Sequence, residues 1–367
     1  MEPSNPGILE PAFAAEGGGD VGRSGDAGPP DPPAKILIVR LGSLGDLVHA
    51  LPAVSAIRRA YPNAAIDWLV DDIHRPFLEL VPVVTTIVPL GARTAAAWLE
   101  VRRTLRGRHY DVALDFQGLL KSAALARLSG ARRVIGFDAR AARESAAAWF
   151  YTERQATGEG RHVIDKNLAL AASLGIRAEG WEFPLRAVDS SALSAIQARG
   201  LDHFALLNGG AAWPNKQWPP DRLGRIAVWL RDQHGLASVV LWGPGELAVA
   251  EAVAVASSHA AMVAPETRVT DLVALARAAS LIVSGDTGPT QIAAAVGTPV
   301  VALFGPTSPR RNGPWRERDI SLSRYESCDC HYERRCRRDP DHWCLGTITE
   351  DDVRRAIDVR LGPPAGA

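Results

Sequence analysis

Short apolar runs recur along the chain, each closed by glycine or a turn residue and followed by a stretch whose apolar positions repeat at helical spacing. The first is KILIVR at residues 35–40. The turn Leu41-Gly42-Ser43-Leu44-Gly45-Asp46 leads from it into a helix reading LVHALPAVSAIRRAYP, with Leu47, Leu51, Val54 and Ile57 on one face. A strand over 65–70 restarts the alternation, so the chain opens as a strand, helix, strand unit, the signature of a parallel sheet. Strands at 86–90, 112–116 and 133–137 and helices at 95–107 and 121–128 continue it. Between residues 138 and 162 the pattern gives way to a polar stretch in which Arg140, Arg143 and Arg161 could meet an anion or simply face solvent.

Periodicity weakens over 175–200 and then begins afresh. Strands are expected at 204–208 and 238–242, and helices at 220–233, 247–257 and 271–279. The segment SGDTGPTQIAAAVGTPVVALFGP at 284–306 follows: a strand end, a turn, a short helix with Pro289 at its start and Gly297 as its stop, and a buried strand over 300–304. A helix start after a strand presents free N–H groups and a positive dipole end, which suits phosphate. The expected fold is therefore α/β, two doubly wound Rossmann-like domains facing a cleft. The expected division is a disordered tail over 1–33, an acceptor domain over 34–185, a nucleotide-sugar domain over 200–345, and a C-terminal helix and tail over 346–367 packing back on the first domain.

Composition narrows the function. Lys plus Arg number 41 and Asp plus Glu number 41, so no global field recruits nucleic acid and any anion site must be local. No apolar run approaches the roughly 20 residues of a membrane span, and the N-terminal stretch lacks the form of a signal peptide. The four cysteines, Cys328, Cys330, Cys336 and Cys344, crowd into one segment with His331 and His342. A secreted disulfide scaffold would spread them, so a cytoplasmic enzyme is expected. The Cys-x-Cys-x5-Cys-x7-Cys spacing could hold zinc or close two local disulfides; it departs from paired CxxC, and no metal ligand is assigned.

Several side chains could carry chemistry. Asp46 stands where a strand end meets a helix start, as a cap for backbone N–H groups or as a general base on an acceptor hydroxyl. GSLGD is not the GxGxxG dinucleotide turn, and its carboxylate would repel a pyrophosphate sitting on it. Lys216, in WPNKQWP, could neutralise a leaving phosphate or sit on the surface between tryptophans. Glu246, after WGPG, could accept ribose hydroxyls or complement a helix dipole. Asp286 is awkward in an anion site and would orient amides or a sugar hydroxyl, while Thr287 and Gly288 hold phosphate.

Taken together, KILIVRLGSLGDLVHALPAV, DFQGLLKSA, the GG…WPNKQWP segment, WGPGE and GDTGPTQIAAAVGTPVVALFGPTSP resemble the ADP-heptose:lipopolysaccharide heptosyltransferases, inverting glycosyltransferases of the GT-B fold, and QGLLKSA leans toward heptosyltransferase I. The resemblance implies transfer of heptose from ADP-heptose to the inner-core octulosonic acid on lipid A, by single displacement with inversion. It implies Asp46 and Lys216 as catalytic groups. Gly209, Lys216, Glu246, Asp286, Thr287, Gly288 and Gln291 would bind the donor, and Ser43, Gly45, Gln117 and Lys121 the acceptor. No cofactor or nucleic acid is implied, and the enzyme would be cytoplasmic, at the inner face of the inner membrane. Gln291 stands where relatives carry histidine; a glutamine can donate a hydrogen bond but carries no charge, leaving more of the leaving-group stabilisation to Lys216 and backbone amides. A related transferase using another nucleotide sugar, a sugar-nucleotide epimerase or hydrolase, and an inactive binding protein remain alternatives.

Overall fold

A computed structural model describes residues 32–91, 94–158, 160–337 and 344–362. The tail expected over 1–33 and His342 fall outside the described residues, except for the tail's last two positions. In chain order, β1 (Lys35–Val39) precedes α1 (Leu44–Ala60), β2 (Ala65–Asp71) precedes α2 (Arg75–Leu78), β3 (Thr86–Leu90) precedes α3 (Ala95–Gly107), and β4 (Val112–Asp115) precedes α4 (Leu120–Leu128). Next come β5 (Arg133–Phe137), β6 (Glu153–Gln155), α5 (Val163–Ala172) and α6 (Ser191–Gln197). The series then repeats as β7 (Phe204–Asn208), α7 (Pro220–His234), β8 (Ala237–Leu241), α8 (Leu247–Ala256), β9 (Ala261–Val263) and α9 (Val269–Ala278). It closes with β10 (Leu281–Gly285), α10 (Gly288–Val296), β11 (Val300–Phe304), α11 (Pro309–Asn312), β12 (Ile320–Ser323) and α12 (Glu350–Leu361).

The strands form two six-stranded sheets, ordered β3-β2-β1-β4-β5-β6 and β12-β11-β10-β7-β8-β9. Every pairing is parallel. Helices cover both faces of such a sheet, which is why its central strands read as unbroken apolar runs: Ile36 to Val39 and Val300 to Val301 are fully buried. Both sheets run outward in both directions from a central pair, β1 beside β4 and β7 beside β10. At these gaps the successive helices diverge to opposite faces, opening a crevice at the carboxyl ends of the strands. Val39 faces Asp115 across one gap and Asn208 faces Ser284 across the other. The residues that follow those four positions form the candidate site.

The two lobes, each a sheet with its helices, meet through α1, which packs on α5 of its own lobe and on α10 of the other. Glycines permit the approach. A Cβ on Gly288 would lie 3.0 Å from Leu44 Cδ2, and one on Gly45 would lie 3.1 Å from Gln291 Cγ. The C-terminal helix corrects an expectation: α12 packs on α7, β11 and β12 of the second lobe rather than returning to the first. Its Val353, Ala356 and Ile357 join the core of the second sheet with Leu223 and Leu303. Trp218 Nε1 donates to Ile348 O at 3.1 Å, just before the helix begins, and Arg360 pairs with Asp319 at 2.9 Å near its end. Held at both ends, the helix has its apolar stripe satisfied locally. Among the described residues, no helix is long and apolar enough to cross a membrane.

Candidate functional site

On the first lobe, the chain leaves β1 through Arg40, a buried cation. Its guanidinium donates to Phe116 O and pairs with Asp46 Oδ1 at 2.6 Å. Ser43 is the N-cap of α1, and Asp46, in the first turn, reaches back to accept from Ser43 N–H at 3.1 Å and Ser43 Oγ at 3.2 Å. Asp46 thus braces the helix start without being its cap. Arg143, from the polar stretch before β6, brings Nη1 to 3.5 Å of Asp46 Oδ2. Burial pushes the Asp46 pKa up, but the combined pull of Arg40, Arg143 and the Ser43 N–H wins and holds the carboxyl far below the usual carboxylate range.

Arg40 and Arg143 line a narrow pocket with Gln117, Lys166 of α5 and Arg311 of α11, so four cationic side chains from both lobes converge beside Asp46. Gln117 Oε1 accepts from Leu41 N–H at 2.7 Å, fixing the β1–α1 turn while its side chain borders the pocket. Beneath it the buried Asp115 takes hydrogen bonds from Gln117 N–H at 2.8 Å, Ser122 Oγ at 2.8 Å and Tyr151 OH at 2.7 Å. Lys121 sits further along, 3.5 Å from Asp71 Oδ1. Of the three arginines flagged between 138 and 162, Arg143 reaches Asp46, whereas Arg140 lines a separate hollow with Trp149 and Arg154.

On the second lobe, Asn208 Nδ2 bridges the gap between β7 and β10, donating to Ser284 Oγ at 3.1 Å and Thr287 Oγ1 at 3.2 Å. Thr287, the N-cap of α10, is held by its hydroxyl, leaving its backbone and that of Gly288 at the helix start. Lys216 Nζ meets Asp286 Oδ2 at 2.7 Å and lies 4.5 Å from the centroid of Trp213. Thr307 Oγ1 donates to the same Asp286 oxygen at 2.8 Å. Asp286, expected on a sugar hydroxyl or on amides, anchors Lys216 with its carboxylate. Glu246 Oε2 accepts from Gly243 N–H at 2.9 Å, and a Cβ on Gly210 would stand 2.1 Å from that oxygen, so Gly210 keeps the carboxylate's place open. Gly209 is buried where a Cβ would press on Leu223 and Val249, which gives it a packing role between α7 and α8.

Gln291, expected among the donor-binding residues, makes its side-chain contacts across the lobes. Its side chain points to the other lobe and is buried: Oε1 lies 3.0 Å from His49 Nε2, and Nε2 donates to Asn312 O at 2.8 Å. The carboxamide nitrogen donates to a carbonyl, so its oxygen is the acceptor and His49 Nε2 carries the proton. His49 Nδ1 is then a bare, buried acceptor with no partner among the described residues. Burial, then the neighbouring His162, pulls the His49 pKa down to about 4. His49 belongs to a ring cluster with His162 and Trp315, whose centroids lie 5.6 and 6.0 Å away. Arg40, His49, Asn312 and Thr307 had no local signal in the sequence. Arg40 closes an apolar strand, His49 sits inside a helix, and only their distant partners give them a part in the site.

The model of the family described as glycosyltransferase family 9 (heptosyltransferase) matches residues 98–342. The chain is 27% identical over 344 residues to lipopolysaccharide heptosyltransferase 1 of Pseudomonas aeruginosa, covering 90% of this chain and 92% of that protein. Among solved structures, it superposes on a glycosyl transferase family 9 protein from Veillonella parvula with a TM-score of 0.77 at 21% identity, covering 89% of this chain and 97% of that one. It superposes on E. coli heptosyltransferase WaaC with ADP with a TM-score of 0.66 at 24% identity, covering 88% and 97%. These likenesses bear out the GT-B arrangement of two facing Rossmann-like lobes.

Proposed function

The chain belongs to glycosyltransferase family 9 (heptosyltransferase), and from that premise we propose that it moves heptose from ADP-heptose to the octulosonic acid of the lipopolysaccharide inner core on lipid A, by single displacement with inversion. The carrying observation is that both sheet gaps end beside the α1–α10 contact, with Asp46 and its cations on one lobe and Lys216, Asp286 and Thr287 on the other. Donor and acceptor would then be held by different lobes, and the pocket of Arg40, Arg143, Lys166 and Arg311 suits an acceptor that carries carboxylates. Such a lipid-borne acceptor would be met at the cytoplasmic face of the inner membrane.

In this reading the acceptor hydroxyl oxygen attacks the anomeric carbon of the heptose as the bond to the diphosphate breaks on the opposite face, and ADP leaves. The hydroxyl proton passes to Asp46. Two arginines make Asp46 a weak base, so it takes the proton only after the new C–O bond has made that oxygen strongly acidic; the low proton affinity is then no obstacle. On the other side, Lys216 meets charge growing on the diphosphate, the start of α10 offers N–H groups, and Glu246 would accept from the ribose hydroxyls. Asp286 and Thr307 keep Lys216 in position.

The test is ADP release from ADP-heptose with and without an inner-core acceptor. Acceptor-dependent release supports transfer. Release that ignores the acceptor would make the chain a hydrolase, conversion of the donor without ADP release an epimerase, and ADP binding without turnover a binding protein. Asp46→Asn should lower kcat by about 10²- to 10⁴-fold with ADP affinity unchanged, whereas Lys216→Met should weaken ADP binding. Near-normal turnover in Asp46→Asn would reduce Asp46 to a brace for the helix start.

A further inference from the structure

The segment between β12 and α12 carries all four cysteines, and none of them is in a disulfide. They nevertheless converge. Cys330 Sγ lies 4.0 Å from Cys336 Sγ, and the Cys344 thiol hydrogen-bonds Cys328. Cys336 lies within electrostatic reach of both Cys330 and Cys344. Cys328 and Cys330 are buried. Two backbone amides are turned toward sulfur: Cys330 N–H donates to Cys328 Sγ at 3.4 Å and Arg337 N–H to Cys330 Sγ at 3.1 Å. Amides aimed at sulfur stabilise thiolate, and hydrogen bonds of this kind orient the ligands of metal centres.

We propose that Cys328, Cys330, Cys336 and Cys344 together bind one thiophilic divalent metal ion, zinc or ferrous iron, in a tetrahedral four-sulfur site. A zinc–sulfur bond of about 2.3 Å sets tetrahedral sulfurs roughly 3.8 Å apart, close to the Cys330–Cys336 separation of 4.0 Å. The thiols as they stand are paired by hydrogen bonds and do not enclose a metal position. Binding exchanges their S–H protons, released to solvent, for bonds to a common cation, and that exchange turns the sulfurs inward. Four thiolates around a dication leave a net negative charge, which Arg334, Arg335 and Arg337 flank in sequence. His331 takes no part, since its Nε2 lies 2.8 Å from Tyr325 O and its ring stacks on Tyr325.

The location gives the site a purpose. Asn215 Nδ2, next to Lys216, donates to Glu333 O at 2.9 Å, and Tyr332 N–H donates to Pro306 O at 2.9 Å, next to Thr307. A Cβ on Gly305 would lie 3.2 Å from Cys344 Sγ. The cysteine segment therefore lies directly behind the two loops that hold Asp286 and Lys216 together. A metal ion would tie the four cysteines into a rigid buttress for them.

The experiment is metal analysis of the full chain purified without chelator, followed by cobalt(II) titration of the stripped protein and a count of reactive thiols after denaturation. About one equivalent of zinc or iron per chain is expected; zinc gives a colourless protein and iron a visible absorption band. Cobalt(II) should produce the intense bands of tetrahedral thiolate coordination and release protons as it binds. Cys330→Ser and Cys336→Ser should each lower bound metal to about a tenth. The wild-type stoichiometry does not depend on how well these variants fold. A stripped chain with reactive thiols that takes up no cobalt, or a chain whose cysteines are recovered as disulfides, overturns the proposal.

Discussion

His49 Nε2 and Gln291 Oε1 lie 3.0 Å apart although 242 positions separate them in the chain, and their hydrogen bond joins the two lobes at the α1–α10 contact. Gln291 passes the link on to Asn312 O at 2.8 Å. His49 and Gln291 thus form a latch between the lobes.

Gln291→Leu fills similar space but leaves the His49 N–H and the Asn312 carbonyl without their partner. Stranding buried polar groups costs about 1–3 kcal/mol each. Urea unfolding should show that loss, and the Michaelis constant for donor should rise as the lobes part more easily. Unchanged stability would mean that the latch contributes nothing.

His49 makes stability pH-dependent. Its pKa falls from 6.5 to about 4 on folding, so between those values the unfolded chain binds a proton that the folded chain does not. Stability is then full above pH 6.5 and is lost as pH falls toward 4, by about 3 kcal/mol for this one group. Thermal melts from pH 7.5 to 4 should show a shallower slope for His49→Gln than for the wild type. Equal slopes would remove His49 from the acid response.

Arg143 reaches Asp46 from the partly exposed side of the pair, with Nη1 at 3.5 Å. Removing an adjacent cation raises a carboxylate's pKa. Arg143→Met should move the acidic limb of the pH–kcat profile to higher pH, measured at saturating acceptor, and Arg143→Lys should restore much of the original position. A limb that stays in place would show that another group governs it.

Gly210→Ala probes nucleotide recognition with little risk to the fold. The new Cβ would stand 2.1 Å from Glu246 Oε2, and a carboxylate at the end of a flexible side chain can swing away. ADP affinity should fall severalfold while the melting temperature holds. Calorimetric titration decides it: unchanged affinity would release Glu246 from any part in ribose binding.

How much of this was legible follows from the range over which each signal acts. Alternating short apolar runs and helical spacing are local properties, so both sheets' central strands, the helices between them and the glycine-bearing turns at residues 41–46 and 285–289 could be read directly. The strands without a clear sequence signal, Glu153–Gln155, Ala261–Val263 and Ile320–Ser323, are edge strands only three or four residues long, too short for a periodic pattern. The turn residues Asp46, Lys216, Glu246 and Asp286 could likewise be named from their places at strand ends. Their partners could not. That Asp46 is held by Arg40 and Arg143, that Asp286 spends its carboxylate on Lys216, that Gln291 faces His49 and that α12 stays on the second lobe all depend on contacts between residues far apart in the chain. Local pattern determines which element forms and where it ends. Which side chain neutralises which charge is decided by folded geometry, because packing brings distant groups together and excludes the water that would otherwise satisfy each of them.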